Sequence, residues 1–116
     1  MGNYPKTLNA FELNEWFNSE EEDPFIIDVR EDSELEIACF PKEFLHLPIS
    51  KISAEYVKSK INNVKDKKLV VICHAGIRSY SFGQWSLDNK LTNEIWSLEE
   101  GIDGWSKYID QTIPRY

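Results

Sequence analysis

Cys73-His74-Ala75-Gly76-Ile77-Arg78 places a thiol, a glycine and a guanidinium within one short segment, directly behind the most apolar run of the chain, Leu69-Val70-Val71-Ile72. Each residue type has a physical reason to stand there. Successive backbone N–H groups in a tight turn converge on a point, and a helix starting behind them adds partial positive charge, so such a turn attracts an anion. A cysteine sulfur held at that point is expected to react as the thiolate, its nucleophilic form. Gly76 lacks a Cβ and so permits positive φ and close approach of the backbone to a bound group. Arg78 presents planar donors to an oxyanion and keeps its charge at any relevant pH, while His74 brings one further polar ring. A cysteine that closes an apolar strand is often only a small core residue. Glycine at +3 and arginine at +5, between strand and helix, tip the reading of Cys73 toward nucleophilic catalysis.

The elements that must position this segment follow from local patterns. Asn9 followed by Glu12 has the form of a capping box, and Ala10, Leu13, Trp16 and Phe17 share one face of a helix ending near Asn18. Phe25–Val29 reads as a buried strand opening into the charged Arg30-Glu31-Asp32. A brief helix near Ser33–Ile37 and a short strand at Phe44–Leu47 come next. Ser53 is then a predicted N-cap, with Ile52 and Val57 as a hydrophobic staple, for a helix ending at Asn62-Asn63. Leu69–Ile72 suits a central parallel strand covered on both faces. A helix from Ser79 to about Asn89, a strand over Glu94–Leu98 and a closing helix marked by Ile102, Trp105 and Ile109 complete the order. Strands alternating with helices predict a parallel α/β sheet with right-handed crossovers, and ligands of such sheets bind beyond the carboxyl ends of the strands. Cys73–Ser79 falls at that place.

Length and charge narrow the alternatives. The 116 residues allow one domain, 1–116, with its core over about 7–116. A formal charge of −7 opposes the phosphate attraction behind nucleic-acid affinity, so nucleic acid is not an expected partner. The acidic stretches Glu20–Asp23 and Glu31–Glu36 read as solvated surface. No apolar run approaches membrane-spanning length and no secretory signal is legible, which makes a cytoplasmic location the expectation. Two cysteines without a C-x-x-C or Cys/His cluster form neither a disulfide scaffold nor a metal site. Cys39 reads as a packed thiol.

Four segments, in order, resemble rhodanese-like sulfurtransferases. The loop Cys73–Arg78 looks like their C-x-x-G-x-R active-site loop, and Ile27-Asp28-Val29-Arg30 resembles the D-V-R signature after the family's early strand. Leu98-Glu99-Glu100-Gly101-Ile102-Asp103-Gly104-Trp105 is similar to the L-x-G-G-I-x-x-W segment, and Asp110–Tyr116 to the tail of many single-domain members. The resemblance implies an α/β rhodanese-like fold, a mainly parallel five-stranded sheet flanked by helices. It further implies that Cys73 accepts sulfur, that the backbone of His74, Ala75, Gly76, Ile77 and Arg78 binds the substrate anion with Ser79 adjoining, and that no cofactor takes part. The pattern departs at Ala38–Glu43, where the family often has G-H-I-P-G-A, and at Glu100, which stands in the glycine pair. Asp28 and Arg30 are expected to support the site as an ion pair or loop anchor.

Related phosphatase and arsenate-reducing domains carry a longer loop, C-x5-R, whereas four residues separate Cys73 from Arg78 here. A narrower ring of donors suits one sulfur atom better than a tetrahedral phosphate. The expected chemistry is therefore ping-pong sulfur transfer, from thiosulfate or a persulfide to a thiol, a protein sulfur acceptor or cyanide, through a persulfide on Cys73. A sulfur-carrying or non-catalytic interaction module, and thiol redox chemistry between Cys73 and Cys39, are the competing expectations.

Overall fold

The computed structural model describes residues 3–116. Strands β1 (Lys6–Leu8), β2 (Phe25–Asp28), β3 (Phe44–His46), β4 (Leu69–Ile72) and β5 (Trp96–Leu98) form one sheet in the order β1-β5-β4-β2-β3. Every pairing is parallel, where the family pattern implied only a mainly parallel sheet. β4 lies at the centre with all four residues buried, which is why its sequence is unbroken by polar residues. Each of those aliphatic side chains contributes about 1.5–3 kcal/mol by leaving water.

Alternation along the strands divides the interior. Ile26, Val70, Ile72 and Leu98 join Leu13, Ile102 and Trp105 in one cluster, beneath helices α1 (Ala10–Phe17) and α5 (Gly101–Tyr108). Ile27, Leu69 and Val71 join Val57, Ile61 and Phe82 in the other, beneath α3 (Ala54–Ile61) and α4 (Ile77–Asp88). The predicted caps form: Asn9 and Glu12 make a reciprocal capping box, and Ser53 Oγ accepts from Tyr56 N–H. A short helix α2 (Asp32–Ile37) follows β2. Among the described residues no helix is long and apolar enough to cross a membrane.

Three expectations are corrected. β1 was not anticipated, because only Leu8 of its three residues is buried. α4 begins at Ile77, two residues before the expected Ser79, because Gly76 with φ +99° serves as its N-cap and turns the chain directly into helix. Cys39 is exposed, with its neighbours Ala38 and Phe40 directed into the core instead.

Glu100 adopts a left-handed conformation at φ +59°, the backbone that a glycine would occupy without strain. The left-handed penalty is about 1–2 kcal/mol, and glycine's extra unfolded-state entropy offsets about 0.4–1 of it. Glu100→Gly is thus expected to raise stability by about 0.5 kcal/mol, seen as a small upward shift in melting temperature. A lower melting temperature would show that the Glu100 side chain supplies more than its backbone strain removes.

Candidate active site

Cys73 leaves the end of β4 with 1% of its surface exposed. Its sulfur accepts two hydrogen bonds, from Gly76 N–H at 3.1 Å and from Ser79 N–H at 3.3 Å. The carbonyls of Cys73 and His74 face the opposite way and accept from Ile102 N–H (2.8 Å) and Asp103 N–H (3.1 Å) in the first turn of α5. Amides thus converge on the sulfur while the acceptors are held elsewhere, the polarity an anion site requires. Gly101 makes this close approach possible: a Cβ there would lie 2.3 Å from Cys73 O and 2.5 Å from His74 O. The glycine of the β5–α5 turn is therefore a structural part of the loop.

The remaining loop residues separate into rim and floor. Ala75 and Ile77 are exposed, Ile77 to 78%, and with Gly76, Tyr80, Glu99 and Glu100 they border an open cleft beside the loop. His74 stacks on the ring of Tyr116, with centroids 4.1 Å apart and 12° between planes. Ser79, expected beside the substrate anion, is fully buried beneath the sulfur. Its hydroxyl lies 3.4 Å from Cys73 Sγ, 3.2 Å from Gly76 O and 2.7 Å from Ser97 Oγ.

Asp28 and Arg30 form an ion pair with both side chains at 0% exposure. Arg30 Nη2 donates to Asp28 Oδ2 at 2.8 Å, Nε reaches both carboxylate oxygens at 3.1 Å, and Arg30 N–H adds a bond of 3.0 Å to Oδ1. Burial alone would make the guanidinium easier to deprotonate, but the bonds to Asp28 and Tyr116 outweigh it and hold the proton more firmly than usual. Arg30 Nη1 donates to Tyr116 Oη at 3.0 Å, and that hydroxyl donates to Glu34 Oε1 at 3.0 Å.

Glu34 completes the chain. Arg78 grips its carboxylate bidentately, with two bonds of 2.7 Å, and Glu31 N–H donates a further bond of 2.9 Å. The Arg78 bonds, opposed by partial burial and reinforced by Glu31 N–H and Tyr116, lower the Glu34 pKa to about 2. Two readings change. The stretch Glu31–Glu36 is not uniformly solvated, since Glu34 turns inward to meet a charge brought by α4. Arg78, expected to offer an open fork to an oxyanion, has that fork occupied by a carboxylate. Helix α2 is thereby bonded to the Cys73–Arg78 loop.

A model of the rhodanese-like domain matches residues 10–108. Over 93 residues, 78% of this chain, it is 34% identical to the rhodanese-like/PpiC domain-containing protein 12, chloroplastic, of Arabidopsis thaliana, covering 30% of that protein. Over 113 residues, 94% of this chain, it is 30% identical to the adenylyltransferase and sulfurtransferase UBA4 of Debaryomyces hansenii, covering 25% of it. The chain thus spans a third or less of these relatives' lengths. The crystal structure of a rhodanese-related protein from Thermoplasma volcanium superposes with a TM-score of 0.65 at 29% identity, over 88% of this chain and 91% of that one. With the matched region running from the start of α1 to the end of α5 and enclosing the Cys73 loop, the chain belongs to the rhodanese-like domain family.

Proposed function

We propose that the domain is a sulfurtransferase that carries a sulfane sulfur on Cys73. The observation that supports this most directly is a nearly buried sulfur receiving two backbone N–H bonds inside a loop with only four residues between Cys73 and Arg78. In the first half-reaction the Cys73 thiolate attacks the outer sulfur of a donor. The donor's S–S bond breaks and its electron pair departs with the leaving group, sulfite from thiosulfate or a thiolate from a persulfide. In the second, an acceptor thiolate attacks the outer sulfur of Cys73–S–S⁻, the bond to Sγ breaks, and the pair returns to Sγ. Cyanide can stand in for the thiol acceptor in the laboratory.

Between the two donors, the occupied fork of Arg78 favours a persulfide. A dianion such as thiosulfate needs free positive charge, and here Glu34 already neutralises the nearest one. The cleft bordered by Ala75, Ile77 and Tyr80 offers an approach for an acceptor thiol, on a small molecule or a protein. Two free cysteines and a thiol acceptor suit a reducing, cytoplasmic setting.

The test is intact mass and peptide mapping after brief exposure to thiosulfate or to a low-molecular-weight persulfide. The expected result is a reductant-sensitive gain of one sulfur on the peptide containing Cys73, retained in Cys39→Ser. A folded protein that gains no sulfur would point instead to an interaction module, and sulfur found on Cys39 would overturn the assignment of the carrier.

A further inference from the structure

We infer that Ser97 is a positioning residue for the sulfur handoff, acting on Cys73 through the hydroxyl of Ser79; this rests on the proposed transfer chemistry and adds a residue to it. Ser97 lies in β5, 2% exposed, level with Val71 of β4 on one side and Thr7 of β1 on the other. Val71 belongs to the same apolar cluster as Cys73, so an aliphatic residue would pack at this level without an unpaired hydroxyl. Among the described residues its hydroxyl has one side-chain partner, Ser79 Oγ at 2.7 Å.

Counting protons assigns the directions. The Ser97 hydroxyl has a single proton and that single partner, so it donates to Ser79 Oγ. The Ser79 proton then has two acceptors left, Gly76 O at 3.2 Å and Cys73 Sγ at 3.4 Å. While Sγ is a neutral thiol, its S–H points to the remaining lone pair of Ser79 and the Ser79 proton goes to Gly76 O. When Sγ is a thiolate, rotation of one hydroxyl turns that proton onto the sulfur, and the Ser97 bond persists and strengthens it.

The second state matters for transfer. As an acceptor thiolate takes the outer sulfur, the Sγ–S bond breaks and negative charge returns to Sγ. The side-chain donor that meets this charge is the Ser79 Oγ–H, which adds to the backbone amides of Gly76 and Ser79. Ser97 fixes where that O–H stands and forbids the third direction it could otherwise take.

The experiment compares Ser97→Ala and Ser97→Thr with wild type in two readouts. One is the pH profile of Cys73 alkylation by iodoacetamide, which needs no sulfur transfer. The other is the single-turnover rate at which preloaded protein passes sulfur to a thiol. In Ser97→Ala the alkylation profile is expected to move to higher pH and the handoff to slow on the order of fivefold, the scale of one net hydrogen bond. Ser97→Thr, which keeps the hydroxyl and suits a strand, is expected to restore both. A folded Ser97→Ala with both readouts unchanged would overturn the inference, as would loss of function in Ser97→Thr equal to that in Ser97→Ala. Should Ser97→Ala fail to fold, Ser97→Cys, similar in shape with a weak donor, carries the same comparison. If wild type never acquires sulfur, the proposed function falls while the alkylation profile still decides the role of Ser97.

Discussion

Arg30→Met is expected to lower the unfolding free energy by about 3–5 kcal/mol, the loss found when one partner of a buried ion pair is removed. Methionine retains an apolar stem of similar reach, so the packing lost is small and the effect isolates the charge. Asp28 remains at 0% exposure, keeping the Arg30 backbone N–H as a donor but losing the guanidinium that contacts both of its oxygens. Tyr116 Oη loses its Arg30 donor as well, so the variant breaks the link from β2 to the Glu34 carboxylate. Urea unfolding measures the change, and with a slope of about 1–3 kcal/mol per molar the midpoint should fall by more than 1 M. The control is Asp28→Leu combined with Arg30→Met, expected to recover much of the loss, because replacing a buried pair by apolar residues is often neutral. A single variant within about 1 kcal/mol of wild type would mean that water reaches Asp28 once the guanidinium is gone.

The parts of this site that could be read from sequence are those whose meaning is local. Cys73, Gly76 and Arg78 stand together behind an apolar strand, and the caps at Asn9 and Ser53 declare their helices within three residues. What stayed hidden depends on partners far along the chain. β1 has one buried residue and exists because β5, about ninety residues later, pairs with it. Glu34 sits in a stretch that looks solvated, and its inward turn is set by an arginine 44 residues away. Its signal was the spacing Glu31-x-x-Glu34, a capping pattern that marks the start of α2 and fixes which face Glu34 takes. Ser97 had a fainter signal, a hydroxyl at a position in β5 whose neighbour Leu98 is wholly buried; only the fold reveals that Ser79 lies against it. Tyr116 belonged to a recognisable tail, yet its ring on His74 and its hydroxyl between Arg30 and Glu34 follow from tertiary placement.

Glu34→Gln is expected to lower the KM for thiosulfate by about tenfold, with little change for a persulfide donor, because one charge-assisted contact to the freed guanidinium amounts to about 1.5–3 kcal/mol. In wild type both terminal nitrogens of Arg78 are held by Glu34 at 2.7 Å, so an incoming dianion must compete with a carboxylate already in place. Glutamine keeps the shape and an oxygen for Glu31 N–H or Tyr116 Oη, but not the charge, and Arg78 is left to seek another anion. The same substitution changes acid stability. Glu34 has its pKa lowered from 4.5 to about 2 in the folded protein, so its stabilisation is complete above pH 4.5 and is lost as pH falls from there toward 2. That loss, about 3 kcal/mol from the shift, should disappear in Glu34→Gln, which is less stable than wild type at neutral pH and converges on it in acid. Stopped-flow sulfite release at varied thiosulfate, together with urea midpoints from pH 7 to pH 2.5, measures both effects. If the stability curves converge while KM stays fixed, the ion pair is structural and anion recognition rests on the backbone amides around Cys73. If KM falls as expected, Glu34 is the residue that biases this loop away from dianionic donors and toward persulfides.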